Sequence, residues 1–284
     1  MAKYNACFLT VIGDSLMNGY PIFPGVIENK FPDYEMCNPN SLEDIRNTLS
    51  NMANKAYQSN AVALLLIKGH GNKNLEKIKF ENCIIKTKEI IVHLEHIKNV
   101  FPEFKCNVII QTCWSGNFPL CCNGVLCSSN ENSLTRNNLL TDAFAETLTE
   151  TNTFSLKDIY DKAYVEDIND FDNLTSFIAR NRAAWDYSHY DNSVCENSEL
   201  VIEQLKDCSP TFKGNINDIL IPVISEEKIK IAVKNIVEEN KIMSGIEILN
   251  MLEKINKCKY TLDLVEKSMS LIYGRPKKKV VIDN

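Results

Sequence analysis

The chain has 284 residues, of which 44% are hydrophobic and 24% charged, as in an ordinary folded domain. Its net charge of −6 argues against a general nucleic-acid-binding surface. No apolar run approaches the roughly 18 residues of a membrane helix, and the run near the N-terminus is too short for a signal peptide. Eleven cysteines at irregular spacing indicate reduced thiols in a cytoplasmic protein rather than a disulfide framework.

The first part of the chain alternates apolar strands with amphipathic helices. A strand over residues 6–12 precedes a loop rich in Gly, Pro and Asn up to residue 40, and a helix then begins after the N-cap Ser41. A second apolar strand, over residues 61–68, completes a βαβ unit. The pattern then predicts a short strand or hairpin arm at residues 79–86 and a helix at residues 90–100. Two strands follow at residues 106–112 and 124–127, and two helices at residues 139–148 and 155–164.

The rest of the chain is predicted to be mainly helical. A helix is expected over about residues 174–185, and three helical stripes of apolar residues follow after residue 225 without strand signals. We therefore divide the chain into an α/β domain, residues 1–224, and a C-terminal helical appendage, residues 225–284. The apolar stripes of the appendage are a candidate partner or regulatory surface.

Two of the apolar strands end in residues with reactive side chains. The strand over residues 61–68 ends at His70, which lies between two glycines, and the strand over residues 106–112 ends at Cys113. Unbroken apolar runs predict strands that are buried on both faces, as in a parallel sheet covered by helices. The carboxyl ends of adjacent parallel strands meet at one edge of the sheet, so we expect the imidazole and the thiol to face each other. A cysteine beside a histidine is the pairing of nucleophilic thiol catalysis.

The two strand ends resemble those of the caspase-fold cysteine peptidases, the clan that includes caspases, metacaspases, legumains and clostripain. The motifs are Gly69-His70-Gly71 after one apolar strand and Cys113-Trp114-Ser115-Gly116 after the next. The histidine precedes the cysteine by a gap close to the approximately 50 residues of caspases. The resemblance covers about residues 6–148, and it implies a caspase-like three-layer α/β/α sandwich with a mostly parallel central sheet.

The resemblance also implies a cysteine endopeptidase that hydrolyses a protein or peptide substrate through an acyl-thioester on Cys113. His70 would be the acid/base that protonates the leaving amine. The backbone N–H groups of Gly71 and Cys113 would form the oxyanion hole, since backbone donors directed at a developing oxyanion are a large catalytic contribution. This chemistry requires no cofactor and no metal ion.

Four further residues are candidates for substrate binding. Asp14 follows the first strand, and Glu131 lies in a later polar loop. Either carboxylate would favour a basic residue before the scissile bond, although Arg136 lies in the same loop as Glu131 with the opposite charge. The backbone of Ser128 and Ser129 would line the groove, where an extended peptide could add as a strand.

Two other functions fit parts of the sequence. The run Gly13-Asp14-Ser15-Leu16 is also the opening signature of the GDSL, or SGNH, serine esterases. Their catalytic residues would here be Ser15 as nucleophile, Asn72 as oxyanion donor, and Asp186 with His189 as the remaining pair. That hypothesis gives Cys113 no role, and the expected Gly-x-Asn block is absent because a glycine directly precedes Asn72. The third alternative is a catalytically inactive caspase-like binding module.

Metal binding is not expected. His93 and His96 lie three residues apart on a predicted helix, without a third ligand at helical spacing. The cysteines near residue 121 include no Cys-x-x-Cys spacing. We interpret these residues as surface histidines and buried thiols.

Overall fold

The computed structural model describes residues 4–13, 22–133, 135, 138–164, 209–222, 233–234 and 247. Its strands are β1 (Tyr4–Gly13), β2 (Glu35–Cys37), β3 (Val62–Lys68), β4 (His70–Gly71), β5 (Lys77–Lys79), β6 (Ile84–Lys86), β7 (Lys105–Gln111), β8 (Gly124–Cys127), β9 (Thr211–Gly214) and β10 (Ile219–Pro222). Its helices are α1 (Ile22–Lys30), α2 (Leu42–Gln58), α3 (Thr87–Val100), α4 (Leu139–Glu150) and α5, over residues 156–164. Short 3₁₀ turns cover Lys73–Leu75 and Ser115–Asn117.

Most of the strands form one large sheet. Within the described residues its order is β10-β1-β3-β7-β8-β9, with β2 also beside β1. Every pair is parallel except β8 with β9. The carboxyl ends of β3 and β7 lie level with each other, because Lys68 is opposite Gln111 in the register. The prediction of a mostly parallel central sheet is confirmed.

Helices cover both faces of this sheet. In β3, Leu64 and Leu66 are buried in the core formed with α1, α4 and α5, whereas Leu65 and Ile67 are buried in the core formed with α2 and α3. Side chains alternate between faces along a strand, so one uninterrupted apolar strand contributes to two cores. The result is the predicted three-layer α/β/α sandwich.

Serine side chains cap two of the helices. At the start of α2, the Ser41 Oγ accepts the backbone N–H of Asp44 at 3.2 Å, as the sequence predicts. Just before α5, the Ser155 Oγ accepts the N–H of Asp158 at the same distance. Caps of this kind stabilise a helix by about 1 kcal/mol each. Both helices therefore begin where their local sequence directs.

The segment between β1 and α2 corrects one prediction. The sequence predicts a loop up to residue 40, whereas Ile22–Lys30 form α1 and Glu35–Cys37 form β2. Pro24 is compatible with α1 because it lies in the first turn, where a backbone N–H has no partner within the helix. Ile27 and Phe31 are buried in the core. Burial of these apolar side chains outweighs the local Gly and Pro content.

The hairpin predicted around residues 79–86 belongs to a second, smaller sheet. In it β4, β5 and β6 pair antiparallel, and β4 follows β3 after a single residue, Gly69. Gly71, Ile78 and Ile85 are buried on its inner side, whereas His70 is exposed. The small sheet therefore presents His70 on an accessible surface beside the end of β3.

Residues late in the chain complete the large sheet. β9 pairs with β8 at one edge and β10 pairs with β1 at the other, and neither strand is predicted from the sequence. The predicted helix over residues 174–185 and nearly all of the appendage lie outside the described residues, so the division at residue 224 stays a prediction. No helix in the described part of the chain combines the length and apolar content needed to cross a membrane.

Candidate active site

The ends of β3 and β7 are in direct contact through their backbones. The N–H of Gly69 donates to the carbonyl oxygen of Gln111 at 3.3 Å. Two residues on, Gly71 packs so closely on the Cys113 loop that an added Cβ would lie 2.2 Å from the Cys113 carbonyl oxygen. That distance is far below an ordinary contact, so only glycine fits here. The histidine motif and the cysteine motif therefore adjoin through their backbones, whereas the expectation that the imidazole faces the thiol stays a prediction.

The thiol of Cys113 lies in a half-buried pocket of the backbone. The backbone N–H of Thr135 donates to its Sγ at 3.5 Å. Burial raises the pKa of the Cys113 thiol to about 11, although the Thr135 N–H favours the thiolate. The described arrangement therefore holds a protonated thiol at neutral pH, and a base must remove the proton when the sulfur reacts.

A sharp turn directly follows the thiol. Trp114 has φ 54°, in the left-handed region that is unfavourable for a bulky residue. The Trp114 ring is buried, and the backbone N–H of Trp114 donates to the carbonyl oxygen of Ser133 at 2.9 Å. Strain of about 1–2 kcal/mol is maintained here by the surrounding contacts. The turn redirects the chain immediately after Cys113 into the 3₁₀ turn over Ser115–Asn117.

A buried network of serine hydroxyls supports this turn. The N–H of Ser115 donates to the Ser129 Oγ at 3.0 Å, and the N–H of Ser129 donates to the Ser115 Oγ at 2.9 Å. The Ser128 Oγ donates to the carbonyl oxygen of Thr112 at 3.1 Å. All of these groups are buried, so each satisfied bond avoids a desolvation cost of about 1–3 kcal/mol. The network fixes the loop that carries Cys113 onto the end of β8.

The network bears on the predicted substrate contacts of Ser128 and Ser129. Their hydroxyls face inward, so only their backbone groups remain candidates for contacting a peptide. β8 already pairs with β7 and β9, which leaves no open edge along β8 for an added strand. The predicted backbone contacts beyond the end of β8 stay a prediction.

The acidic candidates for substrate binding differ in what the structure describes. Asp14 lies outside the described residues, as does Arg136. Glu131 is exposed, and its Oε1 is 3.7 Å from the Lys213 Nζ. The same lysine Nζ donates to the carbonyl oxygen of Gly116 at 2.5 Å. Lys213 therefore offsets part of the negative charge of Glu131, which weakens the argument for a basic residue before the scissile bond.

The residues of the esterase hypothesis are mostly undescribed. Ser15, Asp186 and His189 lie outside the described residues. The Asn72 Oδ1 accepts the backbone N–H of Lys77 at 2.7 Å, which stabilises the turn between β4 and β5. This bond gives Asn72 a structural role in the hairpin.

One of the two helical histidines considered as metal ligands forms other contacts. The His93 Nε2 lies 3.1 Å from both the Ser50 Oγ and the Arg46 carbonyl oxygen. Cys83, a further cysteine outside the group near residue 121, also has a partner, because its thiol donates to the carbonyl oxygen of Pro39 at 3.2 Å. Over the described ranges, no three His, Cys, Asp or Glu side chains converge in a geometry suited to a metal ion.

Two residues near the thiol are not predicted from the sequence. The Gln111 side chain links β7 to the loop above it, because its Oε1 accepts the N–H of Leu140 at 2.7 Å and its Nε2 donates to the Thr135 Oγ1 at 3.1 Å. Thr135 in turn contacts the Cys113 sulfur. The available signal is Gln111 itself, since a polar residue follows the apolar run Val108-Ile109-Ile110. Its partners are far along the chain, so the sequence does not reveal them.

A charged cluster lies on the α4 side of the same strand ends. The Lys68 Nζ donates to the Asn138 Oδ1 at 2.7 Å. Burial raises the pKa of Asp142 to about 6, although the nearby Lys68 lowers it. The Asp142 carboxyl group is therefore partly protonated in the neutral pH range.

Comparisons with known proteins give a similarity at the level of structure but none at the level of sequence. No protein-family model matches the chain, and no curated protein matches it. The chain is similar to a crystal structure of caspase-1 from Spodoptera frugiperda, with a TM-score of 0.48 and 11% sequence identity, over 78% of this chain and 91% of that chain. A similarity of this extent carries no functional argument, so the case for a function is made from the geometry at the ends of β3 and β7.

Proposed function

We propose that this chain is a cysteine endopeptidase in which Cys113 is the nucleophile and His70 is the acid/base. The observation that carries the proposal is the packing of Gly71 on the Cys113 carbonyl group, because it brings the two motifs together. Cys113 is half-buried, its sulfur accepts the backbone N–H of Thr135, and His70 is exposed on β4. These are the two groups that thiol-dependent peptide hydrolysis needs.

The raised pKa of Cys113 defines the order of the proton transfers. The imidazole of His70 removes the thiol proton as Sγ forms a bond to the peptide carbonyl carbon, and the carbonyl oxygen becomes an oxyanion. Collapse of this intermediate breaks the C–N bond, and His70 gives its proton to the departing amine. Water then attacks the acyl-thioester while His70 takes one of its protons, which releases the acid and restores the thiol.

The pairing of β4 and β5 supports an oxyanion role for Gly71. The N–H of Asn72 donates to the carbonyl oxygen of Lys77 at 3.2 Å, which makes these two residues a hydrogen-bonded pair. Bonded and non-bonded pairs alternate along an antiparallel ladder. Gly71 and Ile78 are therefore a non-bonded pair, and the N–H of Gly71 points away from β5. A substrate oxygen could accept that N–H together with the N–H of Cys113.

Cleavage of a peptide library, detected by mass spectrometry, tests the proposal. The purified chain should cut peptides, and Cys113→Ala and His70→Ala should each abolish cutting. Cys122→Ala is the matched control, because Cys122 is also half-buried but lies before β8, at the opposite end of the sheet. Cleavage that survives Cys113→Ala would contradict the proposed nucleophile. Labelling of Ser15 by a serine-directed phosphonate would instead support the esterase.

A binding module without catalysis is the second candidate. The buried, protonated thiol of Cys113 favours it, because a structural cysteine is expected to have a raised pKa. This alternative predicts that no library peptide is cut and that iodoacetamide modifies Cys113 at the same rate in the native chain and in His70→Ala. A slower reaction in His70→Ala would exclude it.

A further inference from the structure

The small sheet of β4, β5 and β6 has one inner and one outer face. Residues opposite each other in an antiparallel pair share a face, and residues two apart on a strand also share it. His70 is opposite Lys79, Lys79 is opposite Ile84, and Lys77 is opposite Lys86. These five residues therefore occupy the outer face, which we call the lysine face. Its three lysines lie on β5 and β6, the two strands that follow His70 in the small sheet.

Positive charge is concentrated on the lysine face although the chain as a whole is acidic. The net charge is −6, yet residues 73–86 contain four lysines and only two glutamates. Lys77 and Lys86 are exposed and directly opposite each other. Like charges at opposite positions destabilise a sheet, so this arrangement is unfavourable for folding alone. An anionic ligand would remove the repulsion.

One of the two acidic residues of this segment has a partner away from Lys77 and Lys86. Glu81 is directed towards β2 and α2, because its Oε2 accepts the Asn38 Nδ2 at 3.1 Å. Among the described residues, no carboxylate forms an ion pair with the Nζ of Lys77 or Lys86. Ile84, which is 61% exposed, adds an apolar side chain to the same face. The surface therefore suits an extended segment that carries carboxylates.

The proposed chemistry determines which part of a substrate would reach this face. His70 gives its proton to the leaving amine, and that amine belongs to the residue on the C-terminal side of the scissile bond. The C-terminal side of the substrate must therefore lie on the side of His70. Lys79 on the neighbouring strand β5 is about 5 Å from His70, and β6 is about 10 Å from it, because neighbouring strands are spaced by about 4.8 Å. An extended chain covers that distance in two to four residues.

We propose that the lysine face selects substrates with Asp or Glu at the second to fourth residues after the scissile bond. The inference rests on the proposed function for its direction along the substrate. The recognition itself depends only on the charge and register of β4, β5 and β6. Lys77 and Lys86 determine specificity in this proposal, whereas Cys113 and His70 carry out the chemistry.

The test uses the full chain with Lys77→Glu and Lys86→Glu combined. The double variant keeps like charges at opposite positions, so the cross-strand repulsion is the same and the hairpin should remain folded. The matched control combines Lys98→Glu with Lys105→Glu. Both of these lysines are exposed, at the end of α3 and the start of β7, on the opposite side of the molecule from His70. The two variants change the net charge equally.

The first readout is the sequence of peptides cut from a proteome-derived library. The native chain and the control should favour Asp and Glu at the second to fourth positions after the cut. In the Lys77 and Lys86 variant the ratio of cutting rates for acidic against amide peptides should fall about tenfold at low salt. The ratio should also fall for the native chain in 1 M salt, where charges are screened within about 3 Å. Equal ratios in all three proteins would overturn the proposal.

The second readout does not depend on cleavage. Fluorescence polarisation measures binding of a labelled Glu-rich peptide and its Gln counterpart to each protein carrying Cys113→Ala. Preferential binding of the Glu peptide that is lost only with the lysine reversal supports the lysine face, even if no peptide is ever cut. Cleavage without any acidic preference, and without selective binding, overturns the lysine face while leaving the peptidase intact. The two failures are thus distinguishable.

Discussion

Replacement of Gly71 by alanine tests the contact on which the candidate site depends. The new Cβ would lie 2.2 Å from the Cys113 carbonyl oxygen and 2.8 Å from the Leu75 Cδ1. Relief of the backbone contact requires a displacement of about 1 Å between the two strand ends, since an ordinary Cβ contact is about 3.4 Å or longer. Overpacking of this kind costs about 1–3 kcal/mol. A displacement of about 1 Å at a catalytic site lowers the rate by about 100-fold.

The assay for Gly71→Ala combines urea unfolding with kcat/KM on a peptide that the native chain cuts. The matched control is Gly25→Ala in α1, because nothing lies within 4 Å of a Cβ added there. In a helix that replacement should stabilise the chain by about 0.5–1 kcal/mol and leave kcat/KM unchanged. Activity is compared at a urea concentration where every variant is fully folded. If Gly71→Ala kept native activity and stability, the close approach of the two motifs would be refuted.

Three further predictions concern the surroundings of the thiol. Ser115→Ala should lower the free energy of unfolding by about 1–3 kcal/mol in urea titrations, because the buried N–H of Ser129 loses its acceptor. An unchanged unfolding midpoint would show that the hydroxyl network does not stabilise the loop that carries Cys113. Asp142 has a raised pKa of about 6, so its ionisation lowers stability between about pH 4 and pH 6. Asp142→Asn should flatten that slope and raise stability at pH 7, and an unchanged slope in urea titrations would contradict the burial of this carboxyl group. Because the pKa of Cys113 is about 11, its alkylation rate should rise about tenfold per pH unit up to that value, and a plateau near pH 8.5 would contradict the burial of the thiol.

Much of the fold can be predicted because its determinants are local. The strands β3 and β7 are built on runs of apolar residues, and few other structures bury both faces of such a run. The cap at Ser41 needs only its own helix to form. In contrast, β10 is four residues long and its pairing partner in β1 lies more than 200 positions away in the chain. A strand this short has no recognisable sequence pattern of its own, because it is stabilised by pairing with the rest of the sheet.

Some features of the candidate site can likewise be predicted from the sequence, whereas others cannot. His70 and Cys113 can be singled out from the sequence because each follows an apolar strand, and parallel strands end on one side of a sheet. The N–H of Thr135 on the sulfur cannot be predicted, because that bond depends on how a polar loop folds back over β7. The small sheet is only suggested by its sequence, and the register that aligns Lys79 with His70 follows from the turns between its strands.

The sequence by itself determined the central strands β1, β3, β7 and β8, the helix cap at Ser41, and the order in which a histidine and a cysteine terminate neighbouring strands. These features depend on the spacing of apolar side chains and on hydrogen bonds within a few residues. Only the tertiary structure decided that Gly71 lies against Cys113, that burial raises the pKa of the Cys113 thiol, and that three lysines share a face with His70. Contact, burial and charge depend on which distant segments meet, and packing of the whole sheet decides that.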